Sequence, residues 1–207
     1  MTIWDERYGS DEFFYGTEPN DFLREQAQLL VPKAEVLCLA EGEGRNAVYL
    51  AGLGHRVTAV DASPVGIDKL RRFATLRGVQ VSAVVSDLAQ FVIEPARWDA
   101  VVSIWCHIPE ALRATVYRAC VAGLRPGGHL IVEAYHPRQL QFKTGGPPTA
   151  DLMVTLPMLQ HELAGLEVLL AQEIERTVRE GRGHQGHSAV VQFIGRKPKY
   201  VWFYFCI

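Results

Sequence analysis

The stretch that most constrains this chain is residues 36–61, VLCLAEGEGRNAVYLAGLGHRVTAVD. Two strand-like runs, residues 35–40 and 56–61, enclose a glycine-bearing turn (41–46) and a helix-length segment (47–53) that Gly54 closes. The first run is apolar throughout, rather than alternating, as expected for a strand covered on both faces. Two such strands joined by a helical crossover must run parallel, with the crossover right-handed. A chain that contains this unit is committed to an open, largely parallel α/β sheet.

The rest of the chain repeats the pattern. Ser63 and Pro64 form an N-cap and first-turn pair for a helix through Arg77, closed by Gly78. Further strands are expected at 80–85, 98–105 and 129–135, with an amphipathic helix over 109–124 that stops at Pro126-Gly127-Gly128. A short helix near 156–165 and two last strands, about 166–177 and 188–196, complete the chain. Those two strands leave no room for a crossover helix, so they form an antiparallel hairpin around the turn REGRGHQGHS (179–188). Five alternating units and a hairpin in 207 residues, 48% of them hydrophobic, make one domain over 1–207. Residues 1–31 are read as a lid and a helix (21–31) that Pro32 stops. The tail 199–207, rich in aromatics, is left open as a strand extension, a docking element or a non-native extension.

Charge and cysteine usage narrow the class. With 21 basic and 23 acidic residues, nothing draws a polyanion, so no nucleic-acid partner is expected. Cys38, Cys106, Cys120 and Cys206 form no close pair and read as buried free thiols of a reducing compartment. The start, MTIWDERYGSDEFF, lacks a basic and apolar leader, and no run approaches the ~18 apolar residues of a membrane helix. The expected location is therefore cytoplasmic, with no membrane partner; a homodimer stays open.

The turn after the first strand lies at the carboxyl edge of the sheet, where open α/β sheets bind ligands. Gly42 and Gly44 would let a ligand approach the backbone, and Asp61, ending the second strand, can accept both hydroxyls of a ribose. Gly42-x-Gly44-x-x-Ala47 also matches a dinucleotide fingerprint, but Glu41 and Glu43 would repel a pyrophosphate. The same carboxylates suit a ligand carrying an ammonium and a sulfonium, and Arg45 can meet a carboxylate. Ser86-Asp87-Leu88 follows the third strand; Asp87 either accepts from an adenine amino group or caps the next helix.

These segments, with VSDL, WDAVVSIWCHIP, LRPGGHLIVEAY and the opening W-D-E-R-Y…Y-G-T-E-P-N, resemble the successive motifs of class I S-adenosylmethionine-dependent methyltransferases over about residues 3–198. The nearest flavour is the small bacterial tellurite-resistance and thiopurine-type group. The resemblance implies a Rossmann-like three-layer sandwich with a seven-stranded, mostly parallel sheet of order 3-2-1-4-5-7-6 and strand 7 antiparallel. It implies S-adenosyl-L-methionine as cofactor, held by Glu41, Gly42, Glu43, Gly44, Arg45, Asn46, Asp61, Ala62, Ser63, Ser86, Asp87, Leu88, Ile104 and Trp105. The chain departs from the family in its first motif. Cys38 and Ala40 stand where the family has an acid and a glycine, so Glu41 is expected to supply the carboxylate from the turn.

The remaining groups at the carboxyl edge, Tyr15, His107, Tyr135, His136, His184 and His187, are expected to form a substrate rim for a small-molecule methyl acceptor. His107 is the candidate general base, or else a ring packed beside Trp105. No carboxylate or cysteine completes His184-x-x-His187, so no metal is expected and the pair reads as part of a solvated turn. Two other readings stay open: a non-catalytic S-adenosylmethionine-binding protein, and a nicotinamide-dependent oxidoreductase. The acidic turn and the lack of a Tyr-x-x-x-Lys pair count against the latter.

Overall fold

The computed structural model describes residues 3–199; Tyr200 to Ile207, most of the apolar tail, and Cys206 with them, lie outside the described residues. Seven strands form one sheet: β1 (Glu35–Leu39), β2 (Arg56–Asp61), β3 (Val81–Val85), β4 (Trp98–Ile104), β5 (Leu124–Tyr135), β6 (Glu167–Glu180) and β7 (His184–Arg196). Their order is β3-β2-β1-β4-β5-β7-β6, as expected. β1 pairs parallel with β2 and β4, β2 with β3, and β4 with β5, whereas β7 runs antiparallel to both β5 and β6.

Both faces of the central strands are buried, which is why their sequences do not alternate. Val36, Cys38, Ala59, Ala100, Val102 and Ile131 face one layer, together with α2 (Asp21–Gln26), α3 (Arg45–Gly52) and α4 (Pro64–Leu76). Leu37, Leu39, Val60, Val101, Leu130 and Val132 face the other, with α5 (Glu110–Gly123) and α6 (Leu156–Glu162). Each fully buried Leu or Val contributes about 1.5–3 kcal/mol over its exposed state. A buried two-point ion pair from Arg113 to Glu162, 2.8 and 2.9 Å, ties α5 to α6.

Several boundaries differ from the expectation. The helix of 21–31 is shorter, since residues 27–29 tighten into a 3₁₀ turn before Pro32. β6 and β7 pair as far as Glu180 opposite His184, so the hairpin turn is only Gly181-Arg182-Gly183. The glycines and charges of 179–188 imitate a loop. They nevertheless pair up to a three-residue turn, because Gly181 in that turn, at φ 55°, and Gly186 on β7, at φ 128°, adopt backbone that side chains disfavour. The lead-in also contains a helix not foreseen, α1 (Ile3–Tyr8), which packs against α4.

Candidate active site

The carboxyl ends of β1, β2 and β4 and the segment after β3 open onto one cavity of about 280 Å³. The turn after β1 forms its floor. Ala40 sits there at φ 48°, a left-handed backbone position that costs a non-glycine residue roughly 1–2 kcal/mol, at the site where the resembling family has a glycine. Glu41 turns back to accept from the Ala47 N–H at 2.7 Å, at the start of α3. Burial pushes the Glu41 carboxyl up to about 7, against the pull of that hydrogen bond and of Arg45. Asp61 accepts from Gly42 N–H and Ser63 N–H, both at 2.8 Å, and burial raises its carboxyl as well. Two desolvated carboxylates therefore face one cavity, and Asp87, Leu88 and Ile104 line its far side.

The glycines serve the protein before any ligand. A Cβ on Gly42 would lie 2.6 Å from the Tyr8 hydroxyl, and Gly42 does not line the cavity. Gly44, at φ 91°, is packed against Leu70 of α4. Glu43 is likewise committed: it pairs with Lys69 at 2.5 Å and accepts from Phe14 N–H at 2.8 Å, fastening the lead-in. Lys69 also donates to the Ser10 and Glu12 carbonyls, each at 2.8 Å. Arg45 pairs with Glu180 at 2.7 Å, so the carboxylate it meets is the protein's own. Asn46 accepts from Asn20 N–H at 2.9 Å. Ser63 caps α4 through Gly66 N–H and donates to Asp5 at 2.6 Å. Ala62 and the exposed Asp87 line the cavity; Asp87 accepts from Ala89 N–H at 2.8 Å and caps a turn, not a helix. Ser86 donates to the Asp87 carbonyl at 3.2 Å and stays off the cavity wall.

The substrate rim divides. Tyr15, Trp105, Tyr135 and His184 form an aromatic box, with Trp105 stacked on Tyr135 at 4.4 Å, Tyr15 tilted against His184 at 4.5 Å, and Trp105 edge-on to His184 at 5.1 Å. His107 stacks on the far side of this group, 5.6 Å from Tyr135. Both its ring nitrogens are shut off from solvent and lack a well-formed hydrogen bond. Burial, then His184, pushes its imidazole down to about 3. His136 and His187 stand outside the box, facing Glu173 and Glu175. The pair read as a solvated turn is thus split by the pleat: His184 is 4% exposed, while His187 points to the surface. Among the described residues no group of three or more His, Cys, Asp or Glu side chains could hold a metal ion.

Several contributors were not foreseen. Trp4 and Tyr8 of α1 wall the cavity. Glu180, hidden in what reads as a turn, is the hub of the box. It accepts from Trp105 Nε1 at 2.6 Å, Arg45 at 2.7 Å and Asn20 Nδ2 at 2.8 Å, with His184 Nδ1 at 3.2 Å. Burial alone would raise its carboxyl, but Arg45 and His184 outweigh that and hold it at about 2. Trp105 stands at φ 56°, a strained backbone for an aromatic residue that its hydrogen bonds to Glu133 and Glu180 hold in place. The readable signal was Glu133, a lone acid inside the apolar run HLIVEAY. It accepts from Arg176, Gln192 and Asn20.

Residues 36–128 match the family model described as a methyltransferase domain. The chain carries the class I S-adenosylmethionine-dependent methyltransferase fold. The ubiquinone biosynthesis O-methyltransferase of Xanthomonas campestris pv. campestris is 33% identical over 109 residues, 51% of this chain and 45% of that protein. The chain thus spans about half the length of the curated relatives it matches. Solved structures follow it over almost its full length. TehB from Haemophilus influenzae superposes with a TM-score of 0.71 at 18% identity, over 94% of this chain and 65% of that one. The N-methyltransferase NodS from Bradyrhizobium japonicum, in complex with S-adenosyl-L-homocysteine, superposes with a TM-score of 0.69 at 17% identity, over 94% and 96%.

Proposed function

We propose that this chain transfers a methyl group from S-adenosylmethionine to a small-molecule acceptor. The observation that carries the reading is the pair of desolvated carboxylates, Glu41 and Asp61, facing one cavity at the carboxyl edge. A pyrophosphate would meet repulsion there. A ligand with an ammionium group and a ribose would relieve both acids. Glu41 would pair with the ammonium, Asp61 would accept the ribose hydroxyls, and Asp87 and Leu88 would meet the adenine ring. The cofactor supplies an electrophilic methyl on a sulfonium, so the protein's share is to align the acceptor, exclude water and take up a proton where the acceptor needs it.

The acceptor half of the cavity is the aromatic wall from Trp4, Tyr15, Trp105 and His184, with Ile108, Pro109 and Leu112 beside it. It suits a small, flat molecule better than a polymer. The name of the curated relatives favours oxygen as the methylated atom. The lead-in, fastened through Glu43 and Lys69, serves as the lid. No helix of the described residues is long and apolar enough to cross a membrane. The buried thiols of Cys38, Cys106 and Cys120 suit a reducing compartment, and the expected location is the cytoplasm.

S-adenosylhomocysteine tests the reading by thermal unfolding. At 100 times its dissociation constant it should stabilise the native state by about 2.7 kcal/mol, roughly 5–10 °C for a domain of this size. NAD should give no shift. A shift with NAD alone would overturn the reading.

A further inference from the structure

We propose that His184 and Glu180 form a base-and-carboxylate pair in the acceptor half of the cavity, and that the acceptor is a flat aromatic molecule whose hydroxyl loses its proton to His184 during transfer. This rests on the methyl-transfer reading above.

The geometry distinguishes the two histidines near the cavity. His107 has both ring nitrogens sealed from solvent. Both rings line the cavity, but only His184 has a carboxylate partner, its Nδ1 lying 3.2 Å from Glu180 Oε2. An ionised carboxylate only accepts, so Nδ1 must carry the proton and Nε2 must present its lone pair. No hydrogen bond among the described residues uses Nε2. Glu180 cannot swing away, because Arg45, Trp105 and Asn20 also donate to it.

The groups that face His184 come from several elements. Glu180 on β6 favours the imidazolium; Arg45 at the start of α3 and Arg7 on α1 oppose it, and burial opposes it most. The balance leaves the ring below its ordinary range, hence neutral at pH 7 and able to accept a proton. Once protonated, it stands beside a carboxylate already held in place. Its other neighbours are the rings of Tyr15, Trp105 and Tyr135, which favour a planar partner.

The step balances without a further reagent. The acceptor oxygen bonds to the methyl carbon, the carbon–sulfur bond breaks, and its electron pair stays on sulfur as the thioether. The hydroxyl proton passes to His184 Nε2 and then to solvent.

Three measurements test this on the full chain. In wild-type protein labelled with ¹⁵N-histidine, His184 should show the Nδ1–H tautomer, and the Nε2–H tautomer would overturn the proposal whatever the variants do. With phenol and the far more acidic 4-nitrophenol as acceptors, His184→Gln should lower kcat/KM for phenol by about 100-fold or more and for 4-nitrophenol by less than about fivefold. S-adenosylhomocysteine affinity, read by calorimetry, should stay within about threefold, as expected for a group outside the cofactor half. Equal losses for both phenols, or no loss, would mean a packing role and overturn the proposal. Wild-type transfer to thiophenol but to neither phenol would overturn the acceptor class. Failure of wild-type protein to bind S-adenosylhomocysteine would instead overturn the methyl-transfer reading.

Discussion

Gly44→Ala separates two explanations of the glycine turn. If Gly44 exists to admit a ligand, the substitution harms binding and spares the fold. If it exists to let α3 and α4 meet, the reverse holds, and the structure favours the second. The new Cβ would lie 2.8 Å from Leu70 Cβ and 2.9 Å from Cδ1, closer still to Cγ, on backbone at φ 91°. The left-handed backbone costs alanine about 1–2 kcal/mol. Overpacking against Leu70, itself fully buried, adds about 1–3 kcal/mol. Reduced freedom of the unfolded chain offsets about 0.4–1 kcal/mol. The net loss is about 1–4 kcal/mol, or roughly 3–15 °C in Tm. Leu70→Ala alone should cost about 2–5 kcal/mol through its cavity. The double variant should then be more stable than the sum of the two losses by about 1–3 kcal/mol, because the alanine at 44 fills part of that cavity. Urea unfolding measures all three. Losses that add within about 0.5 kcal/mol would refute the packing argument, as would a Gly44→Ala protein that keeps its stability but no longer binds S-adenosylhomocysteine.

Glu41 ties stability and ligand binding to pH. Its carboxyl is raised from the usual 4.5 to about 7, so the folded chain holds the proton that the unfolded chain has released between those values. Its contribution is therefore present below about pH 4.5 and lost as pH rises through about 7, and Glu41→Gln should remove that pH-dependent part of the stability curve. S-adenosylhomocysteine affinity should rise over the same window in wild type and stay flat in Glu41→Gln; a flat wild-type profile would count against the ammonium pairing. Asp61→Ala strips an acceptor from the Gly42 and Ser63 N–H groups, so it should reduce stability by about 2–4 kcal/mol as well as weaken binding by about 2–4 kcal/mol. Calorimetry showing unchanged affinity in the folded variant would remove Asp61 from the site. Arg113→Ala leaves Glu162 buried and alone, which should cost about 3–5 kcal/mol in urea unfolding without changing cofactor affinity, since the Arg113 side chain does not line the cavity.

The amino-acid order alone determined the sheet. Continuous apolar runs, glycine stops, the Ser63-Pro64 cap and a final hairpin without room for a crossover point to a largely parallel sheet ending in an antiparallel hairpin, because each of those signals acts over a few residues, while the strand order followed from the family resemblance of the motifs. It also put Glu41, Asp61 and Asp87 at the carboxyl edge, since the end of a strand is a local fact. What the tertiary structure decided is which side chains remain available there. Glu43 and Arg45 look in the sequence like ligand-facing charges; both line the cavity, but Lys69 and Glu180 already pair with them there from 26 and 135 positions along the chain. Gly42 and Gly44 look like openings for a ligand; Gly44 does line the cavity, but the space a side chain would need at each is taken by Tyr8 and Leu70. His184 and His187 look equivalent, but the strand pairing that continues to Glu180 opposite His184 sends one inward and the other to solvent. Such choices depend on contacts between residues distant in sequence, and neither periodicity nor spacing carries information about them.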